Sequence, residues 1–165
     1  MAVWGLASSH GESNRHRGSN GFKAHEIKSG VAYEDDQVTV EAFPVVHGSL
    51  PSFGYKFQTP DRTIVISGDT APTEAVVEAA RGCDVLIHEV YSSSRFERLP
   101  PAWRRYHSSV HTSTRELAEI ASEARPGLLV LYHQLFWGAT EEELLAEIRE
   151  QYDGRVVSGK DLDVY

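Results

Sequence analysis

The sequence is short of cysteine, of basic charge and of long apolar runs, and each shortage excludes a class of protein. Cys83 is the only cysteine in 165 residues, which excludes an internal disulfide framework and a thiolate-rich metal cluster. Lysine and arginine number 16 against 24 acidic residues, a formal charge of −8 that disfavours broad binding to nucleic acid. No run approaches the roughly 18 apolar residues of a membrane span. The first residues also lack the basic start of a signal peptide, so we expect a cytoplasmic protein.

The overall composition is typical of a globular protein, but histidine is unusually frequent. Hydrophobic residues make up 41% of the chain, and its length is enough for one domain that folds without disulfides. Eight histidines are many for this length and are a first indication of metal or acid–base chemistry. Residues 1–21 are rich in Gly, Ser, Asn and Arg, so we expect an irregular leader there and a domain over 22–165.

Short apolar runs alternate with amphipathic segments after residue 22, which is typical of an α/β fold. The predicted strands cover residues 37–43, 53–57, 63–67, 84–88, 128–132 and 155–158, with a further short strand at 162–165. Pro44 is expected to interrupt the first of them. Helices are predicted from Thr73, from Thr114 and after Thr140, the last two preceded by the residue pairs of capping boxes. Residues 92–107 have no period and are predicted to form a long loop or lid.

Three polar residues, His47, Asp69 and His133, each follow a predicted strand. Strand ends in α/β sheets bring loops together on a rigid support, so such positions are favourable for a site. Imidazole nitrogen and carboxylate oxygen are ligands that zinc accepts, and a carboxylate can bridge two cations. Each residue taken alone has a simpler interpretation, since an aspartate after a strand is most often a turn former or a helix cap.

His111 stands immediately before Thr112 and Ser113, at the start of a predicted helix. Helix amino termini offer N–H groups and a partial positive charge, so this segment can bind a phosphate or sulfate ester. Glu89 can orient His111 and raise its basicity, as in a general acid–base pair. The simpler alternatives are a solvated histidine beside a helix cap and a surface carboxylate.

The segment before His111 adds candidate substrate contacts. Arg104 and Arg105 can attract an anion, although solvated arginines are the commoner case. Four aromatic residues can line a pocket for an aromatic leaving group, or can simply pack against the core. They are Trp103, Tyr106, Phe136 and Trp137.

Five motifs, in this order, resemble the carboxyl-terminal motifs of the metallo-β-lactamase superfamily. They are His47-Gly-Ser with Phe53-Gly-Tyr55, Ile66-Ser-Gly-Asp-Thr70, Leu86-Ile-His-Glu89, His111-Thr-Ser-Thr114 and Leu131-Tyr-His133. The similarity covers residues 22–165 and is greatest to the ribonuclease Z, arylsulfatase and phosphodiesterase-like hydrolases. The resemblance implies that His47 binds one zinc ion, Asp69 bridges two and His133 binds the second. It also implies that His111, assisted by Glu89, contacts the scissile group or transfers a proton to the leaving oxygen.

One departure from the family concerns its His-x-His-x-Asp-His motif, which supplies four ligands from the amino-terminal half. That motif is missing, since His10 and His16 stand six residues apart without the intervening residues. The resemblance therefore implies the carboxyl-terminal half of an αββα sandwich, with one mixed sheet and outer helices. Its uncovered sheet face would meet a complementary amino-terminal half or a second copy. A complete member holds two zinc ions, whereas this chain alone is expected to bind metal weakly or not at all.

The expected function is metal-dependent hydrolysis of a small phosphate or sulfate ester. Members that process transfer RNA carry a protruding arm between the motifs of His47 and Asp69, and only 21 residues separate these two positions here. The acidic composition also favours a small ester, because binding a phosphate backbone requires a basic surface. Two alternatives remain open: a non-catalytic remnant or assembly module, and ribonuclease Z-like processing of transfer RNA.

Overall fold

A computed structural model describes residues 25–165, and within them seven strands form one mixed sheet accompanied by five helices. The strands are β1 (Gly30–Glu34), β2 (Thr39–Val45), β3 (Ser52–Gln58), β4 (Thr63–Ile66), β5 (Val85–Tyr91), β6 (Leu128–Leu135) and β7 (Val156–Ser158). The helices are α1 (Glu74–Ala80), α2 (Ser93–Phe96), α3 (Pro101–His107), α4 (Thr114–Ala124) and α5 (Glu141–Arg149). The predicted leader, with His10 and His16, lies outside the described residues.

The strands lie side by side in chain order. Strands β1 to β4 form an antiparallel meander, whereas β4 to β7 run parallel. Each parallel step needs a crossover, which α1, α4 and α5 provide. The carboxyl ends of β4, β5 and β6 therefore meet at one edge. The predicted α/β class, with one mixed sheet and outer helices, is confirmed.

One face of the sheet packs against the helices and the other is only partly covered. The burial of side chains alternates along β4. Val65 is fully buried, while Ile64 and Ile66 on either side of it are half-buried. The core on the helical side is formed by aliphatic side chains from both layers. Its largest members are Leu86, Leu117, Leu129, Leu131, Leu144 and Ile148. No helix in the described part of the chain is both long and apolar enough to cross a membrane.

The two predicted capping boxes are confirmed at the starts of α4 and α5. The prediction that Pro44 interrupts its strand is wrong, because Pro44 lies inside β2 opposite Phe53 of β3. Strand β1 begins only at Gly30, opposite Ala42, so it does not extend as far as Pro44. Pro44 therefore lies where β2 is an edge strand, and a missing N–H costs no ladder bond on that side.

The predicted loop at 92–107 is also wrong, because it contains α2 and α3. The Ser92 side chain caps α2 by accepting the N–H of Arg95, and Pro101 occupies the first turn of α3. Proline suits that position because the N–H that it lacks would have no partner within the helix. The sequence pattern did not predict strand β1, and residues 162–165 do not form the expected strand.

Candidate functional site

Three side chains meet beside the edge where β4 and β5 end. His47 follows β2, Asp69 follows β4, and His111 precedes α4. One potential ligand atom from each of the three lies within 4.8 Å of the others. Residues separated by up to 64 positions therefore form a single cluster, as the strand-end argument predicts for His47 and Asp69.

The ring of His47 is held in one orientation by the backbone. Its Nδ1 lies 2.9 Å from the carbonyl oxygen of Val110. A carbonyl can only accept a hydrogen bond, so Nδ1 carries a proton, and in the neutral ring the lone pair lies on Nε2. Fixing the tautomer through the second nitrogen is how metal-binding histidines are commonly oriented.

Asp69 is placed by a left-handed turn after β4. Gly68 has a φ of +67°, and a Cβ added there would lie 3.1 Å from the carbonyl oxygen of Phe53. Glycine is therefore the residue that lets the chain turn at this point. The turn leaves the Asp69 carboxylate about one-third exposed, between His111 and His133.

His133 approaches Asp69 from a β-bulge rather than from beyond a strand end. The ladder between β5 and β6 pairs Glu89 with Tyr132 and then Val90 with Gln134, which leaves His133 as the extra residue. Its φ of +42° is unusual for a residue with a side chain. Its Nε2 lies 3.5 Å from Oδ2 of Asp69. His133 therefore contacts Asp69. The three residues whose ligand atoms lie within 4.8 Å of one another, however, include His111 and not His133.

Glu89 is completely buried within β5. Its Oε1 accepts the backbone N–H groups of Thr70, at 3.2 Å, and of Thr112, at 2.9 Å. The same oxygen lies 3.3 Å from Nδ1 of His111, an electrostatic contact rather than a well-formed hydrogen bond. The alternative of a surface carboxylate is excluded.

The environment of His111 favours its protonated form. Burial lowers the pKa of His111, but the carboxylates of Glu89 and Asp69 raise it by more, so that it lies above its ordinary value of 6.5. With Nδ1 facing Glu89, the other ring nitrogen is the one available to a ligand.

Thr112 and Ser113 are placed beside this cluster, but their N–H groups already have partners. The N–H of Thr112 donates to Glu89, and its hydroxyl donates to the carbonyl of Thr70. The N–H and hydroxyl of Ser113 both donate to Oε2 of Glu116 in the capping box. The helix start therefore does not offer these donors to a substrate, contrary to the expectation from the sequence.

His107, for which the sequence indicates no role, packs against His111. The His107 ring stacks on that of His111, with centroids 5.5 Å apart and planes 28° apart, and Trp137 meets His107 edge-on at 4.8 Å. Neither ring nitrogen of His107 has a hydrogen-bond partner within residues 25–165. Burial and the neighbouring His111 lower the pKa of His107. The four-residue spacing between the two histidines, one helical turn, is the signal that could have linked them.

The remaining predicted site residues lie apart from the cluster. Arg104 and Arg105 are exposed on α3, with no ion pair to any described residue. His88 is fully buried in β5, with Nδ1 2.6 Å from the carbonyl oxygen of Glu89.

The donor set suits a divalent cation such as zinc. Two imidazoles and one carboxylate face a common space, and the tautomer of His47 leaves a lone pair available. His133 adds a second imidazole beside Asp69. These four residues are the candidate metal donors, and if His111 keeps its proton, the other three would hold the metal.

Comparison with known proteins places this arrangement in a family. The sequence model of the "Beta-lactamase superfamily domain" matches residues 4–134. A protein named ribonuclease Z from Mycobacterium bovis (strain BCG / Pasteur 1173P2) is 29% identical over 144 residues, which span 86% of this chain and 51% of that protein. The chain thus spans about half the length of the relatives it matches.

Solved structures show the same fold. The metallo-β-lactamase fold protein YhfI from Bacillus subtilis aligns with a TM-score of 0.65 and 21% identity, covering 83% of this chain and 54% of that one. The short form of human tRNase Z aligns with a TM-score of 0.58 and 24% identity, covering 82% of this chain and 44% of the human protein.

Proposed function

Because this chain belongs to the β-lactamase superfamily domain family, we propose that it is part of a metal-dependent hydrolase of small phosphate or sulfate esters. The observation that carries the proposal is the convergence of His47, Asp69 and His111 within 4.8 Å, with buried Glu89 behind His111. Such a combination of metal donors and a carboxylate-supported imidazole suits hydrolysis better than structural metal binding, which uses closed sites.

Residues 22–165 are proposed to be the carboxyl-terminal half of this enzyme. The chain's share of its relatives' length and the order of its motifs support this division. A complementary half carrying the His-x-His-x-Asp-His motif would then complete the site.

In this proposal His47, Asp69 and His133 hold the cations, which when bound act as Lewis acids toward the ester. Val110 keeps His47 in the required tautomer, and the bulge at His133 aims its ring at Asp69. The substrate's phosphate or sulfate group lies next to His111.

His111 donates a proton from Nε2 to the leaving oxygen. Glu89 stabilises the charged ring from the Nδ1 side, and its own position is fixed by the N–H groups of Thr70 and Thr112. The raised pKa of His111 favours the protonated ring that a general acid needs.

The test is to combine the chain with an amino-terminal half that carries the missing motif. With zinc, the assembled pair should hydrolyse bis(p-nitrophenyl) phosphate, and a chelator should abolish the activity. His111→Ala should lower kcat about 100-fold or more, the usual effect of losing a general acid. The matched control is His25→Ala, at an exposed histidine away from the cluster, which should leave kcat unchanged. A properly assembled, zinc-loaded pair without activity would favour a non-catalytic assembly module.

A second candidate function is ribonuclease Z-like processing of transfer RNA. It is favoured by the relatives that carry the name ribonuclease Z. The acidic charge and the short segment between His47 and Asp69 favour the small ester instead. Offering the assembled pair a 3′-extended transfer-RNA precursor and the small diester separates the two, since kcat/KM should be far higher for the true substrate class.

A further inference from the structure

Thr70 lies in the turn after β4 and uses all of its polar groups within the protein. The residue is fully buried. Its N–H donates to Oε1 of Glu89 at 3.2 Å, and its carbonyl accepts the hydroxyl of Thr112 at 2.7 Å. Its own hydroxyl donates to the carbonyl of Ala71 at 2.6 Å and accepts the N–H of Val46 at 3.1 Å. Thr70 therefore connects three segments that are far apart in the sequence.

The hydroxyl of Thr70 makes the connection to the segment that carries His47. Val46 comes directly before His47, and its carbonyl accepts the N–H of Ala71 at 2.8 Å. This backbone bond and the bond to the Thr70 hydroxyl together form a bridge between the two segments. Because the hydroxyl proton is used by the Ala71 carbonyl, an oxygen lone pair is left to accept from Val46.

The bridge matters for the ring of His47, because that ring has its own fixed partner on another segment. Nδ1 of His47 lies 2.9 Å from the carbonyl oxygen of Val110, which belongs to the segment before α4. The ring reaches this carbonyl only if the backbone before it stays in place. Thr70 holds that backbone at Val46, one residue away.

We propose that Thr70 is a positioning residue for the metal donors. Its hydroxyl holds the backbone before His47, so that the ring keeps its proton on Nδ1, bonded to Val110, and leaves Nε2 for a metal beside Asp69. The proposal rests on the proposed metal-dependent function and adds a residue that touches neither metal nor substrate. Groups that orient metal-binding histidines from behind typically change metal affinity by roughly 10- to 100-fold when they are lost.

The first test needs no metal. Long-range proton–nitrogen correlation spectra of the metal-free full chain show which ring nitrogen of His47 carries the proton at about pH 9, where histidine rings are neutral. Wild type should carry it on Nδ1. Thr70→Val keeps the shape but removes the hydroxyl, so it should show a mixture of the two tautomers. Thr70→Ser keeps the hydroxyl and should restore the wild-type spectrum.

Thr114→Val is the matched control. Thr114 is also fully buried, and its hydroxyl donates to Oε2 of Glu147 at 2.6 Å, with no bond to Val46. The variant removes a comparable hydrogen bond and should leave the tautomer of His47 as in wild type. Thermal unfolding compares the loss of stability in the two valine variants. A purely structural role of Thr70 would give both of them the same His47 spectrum.

The second test measures zinc binding to the full chain by isothermal titration calorimetry. Thr70→Val should raise the dissociation constant about tenfold or more, the usual effect of losing a group behind a metal ligand. Thr70→Ser and Thr114→Val should bind zinc nearly as wild type does. A wild-type affinity too weak to measure leaves the decision to the tautomer and to hydrogen exchange.

Amide hydrogen exchange of the wild-type chain tests the bond itself, and it decides the question if Thr70→Val does not fold. The side chain of Val46 is 49% exposed, so an amide at this place would exchange fast without a partner. The bond to the Thr70 hydroxyl should slow the exchange of the Val46 N–H. Exchange at the rate of an open amide would show that the bond is not formed and would overturn the proposal.

Three further results would also overturn it. One is a wild-type His47 tautomer in folded Thr70→Val, and another is an equal change in Thr114→Val. The third is a Thr70→Ser variant that behaves like Thr70→Val, which would show that the methyl group and not the hydroxyl is responsible. Failure of the proposed enzyme activity is a separate outcome, because these measurements use neither a substrate nor the complementary half.

Discussion

Glu89 shows how a single buried charge can organise a site. A carboxylate with no exposure is costly to bury unless hydrogen bonds compensate for the lost water. Two backbone N–H groups on different segments, at Thr70 and Thr112, provide that compensation at Oε1. The same bonds tie the turn after β4 to the start of α4, so the residue that supports His111 also holds together the two segments that carry Asp69 and His111.

Glu89→Gln tests this arrangement at the residue scale. Glutamine keeps the shape and an acceptor oxygen but removes the charge, so burial dominates and the pKa of His111 should fall. NMR titration of the histidine ring resonances in the metal-free protein measures this pKa. The exposed His25 serves as internal control, and its resonances should be the same in both proteins. An unchanged pKa of His111 in the folded variant would show that Glu89 does not support its charge.

The sequence allowed some of these residues to be predicted and not others. Placing His47 and Asp69 required only that strand ends meet at one edge of an α/β sheet. His133 lies in a bulge, which depends on the register between β5 and β6. The hydrogen bond from His47 to Val110 joins residues 63 positions apart, and no local pattern encodes it. Their metal-binding and catalytic roles stay predictions.

Among the elements, α2 depends on one distant side chain. The Glu147 carboxylate on α5 accepts hydrogen bonds from the hydroxyls of Ser92, Ser94 and Thr114 and from the N–H of Ser93, at 2.6 to 2.8 Å. A four-residue helix is too short to be stable alone, so this cluster accounts for its order. Burial raises the pKa of Glu147, but these hydrogen bonds lower it by more, and the net value lies below the ordinary 4.5.

Glu147→Gln should therefore destabilise the protein in a pH-dependent way. A carboxyl whose folded pKa is lowered stabilises the fold fully above pH 4.5, and this stabilisation is lost as the pH falls through the folded value. We expect the variant to lose about 1 to 2 kcal/mol of unfolding free energy at pH 7. The difference from wild type should shrink below pH 4.5, as measured by urea unfolding across the pH range.

The control for this experiment is Glu150→Gln, one turn further along at the end of the same helix. Its side chain is exposed and has no hydrogen bond or ion pair to a described residue, so its unfolding free energy should stay close to wild type. A Glu147→Gln difference that stays constant down to pH 3 would contradict the proposed role of the carboxylate.

The elements that local signals encode were predicted, and those that need distant partners were not. Capping boxes place the starts of α4 and α5 within four residues of sequence. Helix α2 needs Glu147, which lies more than 50 positions away, so no local pattern predicts it. Helix α3 begins with Pro101, and proline is a local signal of a helix start as well as of a loop.

For the whole molecule, the small donor set predicts weak metal binding. His47, Asp69 and His133 give each of two cations only two protein ligands, one of them shared, whereas a catalytic zinc site has three. The purified chain should contain well under two zinc ions per molecule by elemental analysis, and Asp69→Asn should lower the content further. A chelator-sensitive content near two would show that these residues are sufficient. Assembly with a complementary half should raise the stoichiometry.

The partly covered face of the sheet predicts how the isolated chain behaves in solution. Its side chains form cross-strand pairs, with Phe57 opposite Ile64 and Ile66 opposite Ile87, and all are only half-buried. A contiguous apolar face of this kind marks an interface or a site of aggregation. The chain should therefore self-associate as its concentration rises, as measured by sedimentation velocity.

A charge on this face should suppress that association. Ile64→Lys combined with Ile87→Lys places two ammonium groups where apolar contact would form, and a long side chain at a half-buried position can reach water with little loss of stability. Val31→Lys adds the same group at a position of β1 that is 63% exposed, and it should associate like wild type. If the double variant still associates, the contact lies elsewhere on the molecule. If the double variant is monomeric and also fails to combine with an amino-terminal half, the same face makes both contacts. Self-association would then occupy the surface that the amino-terminal half binds.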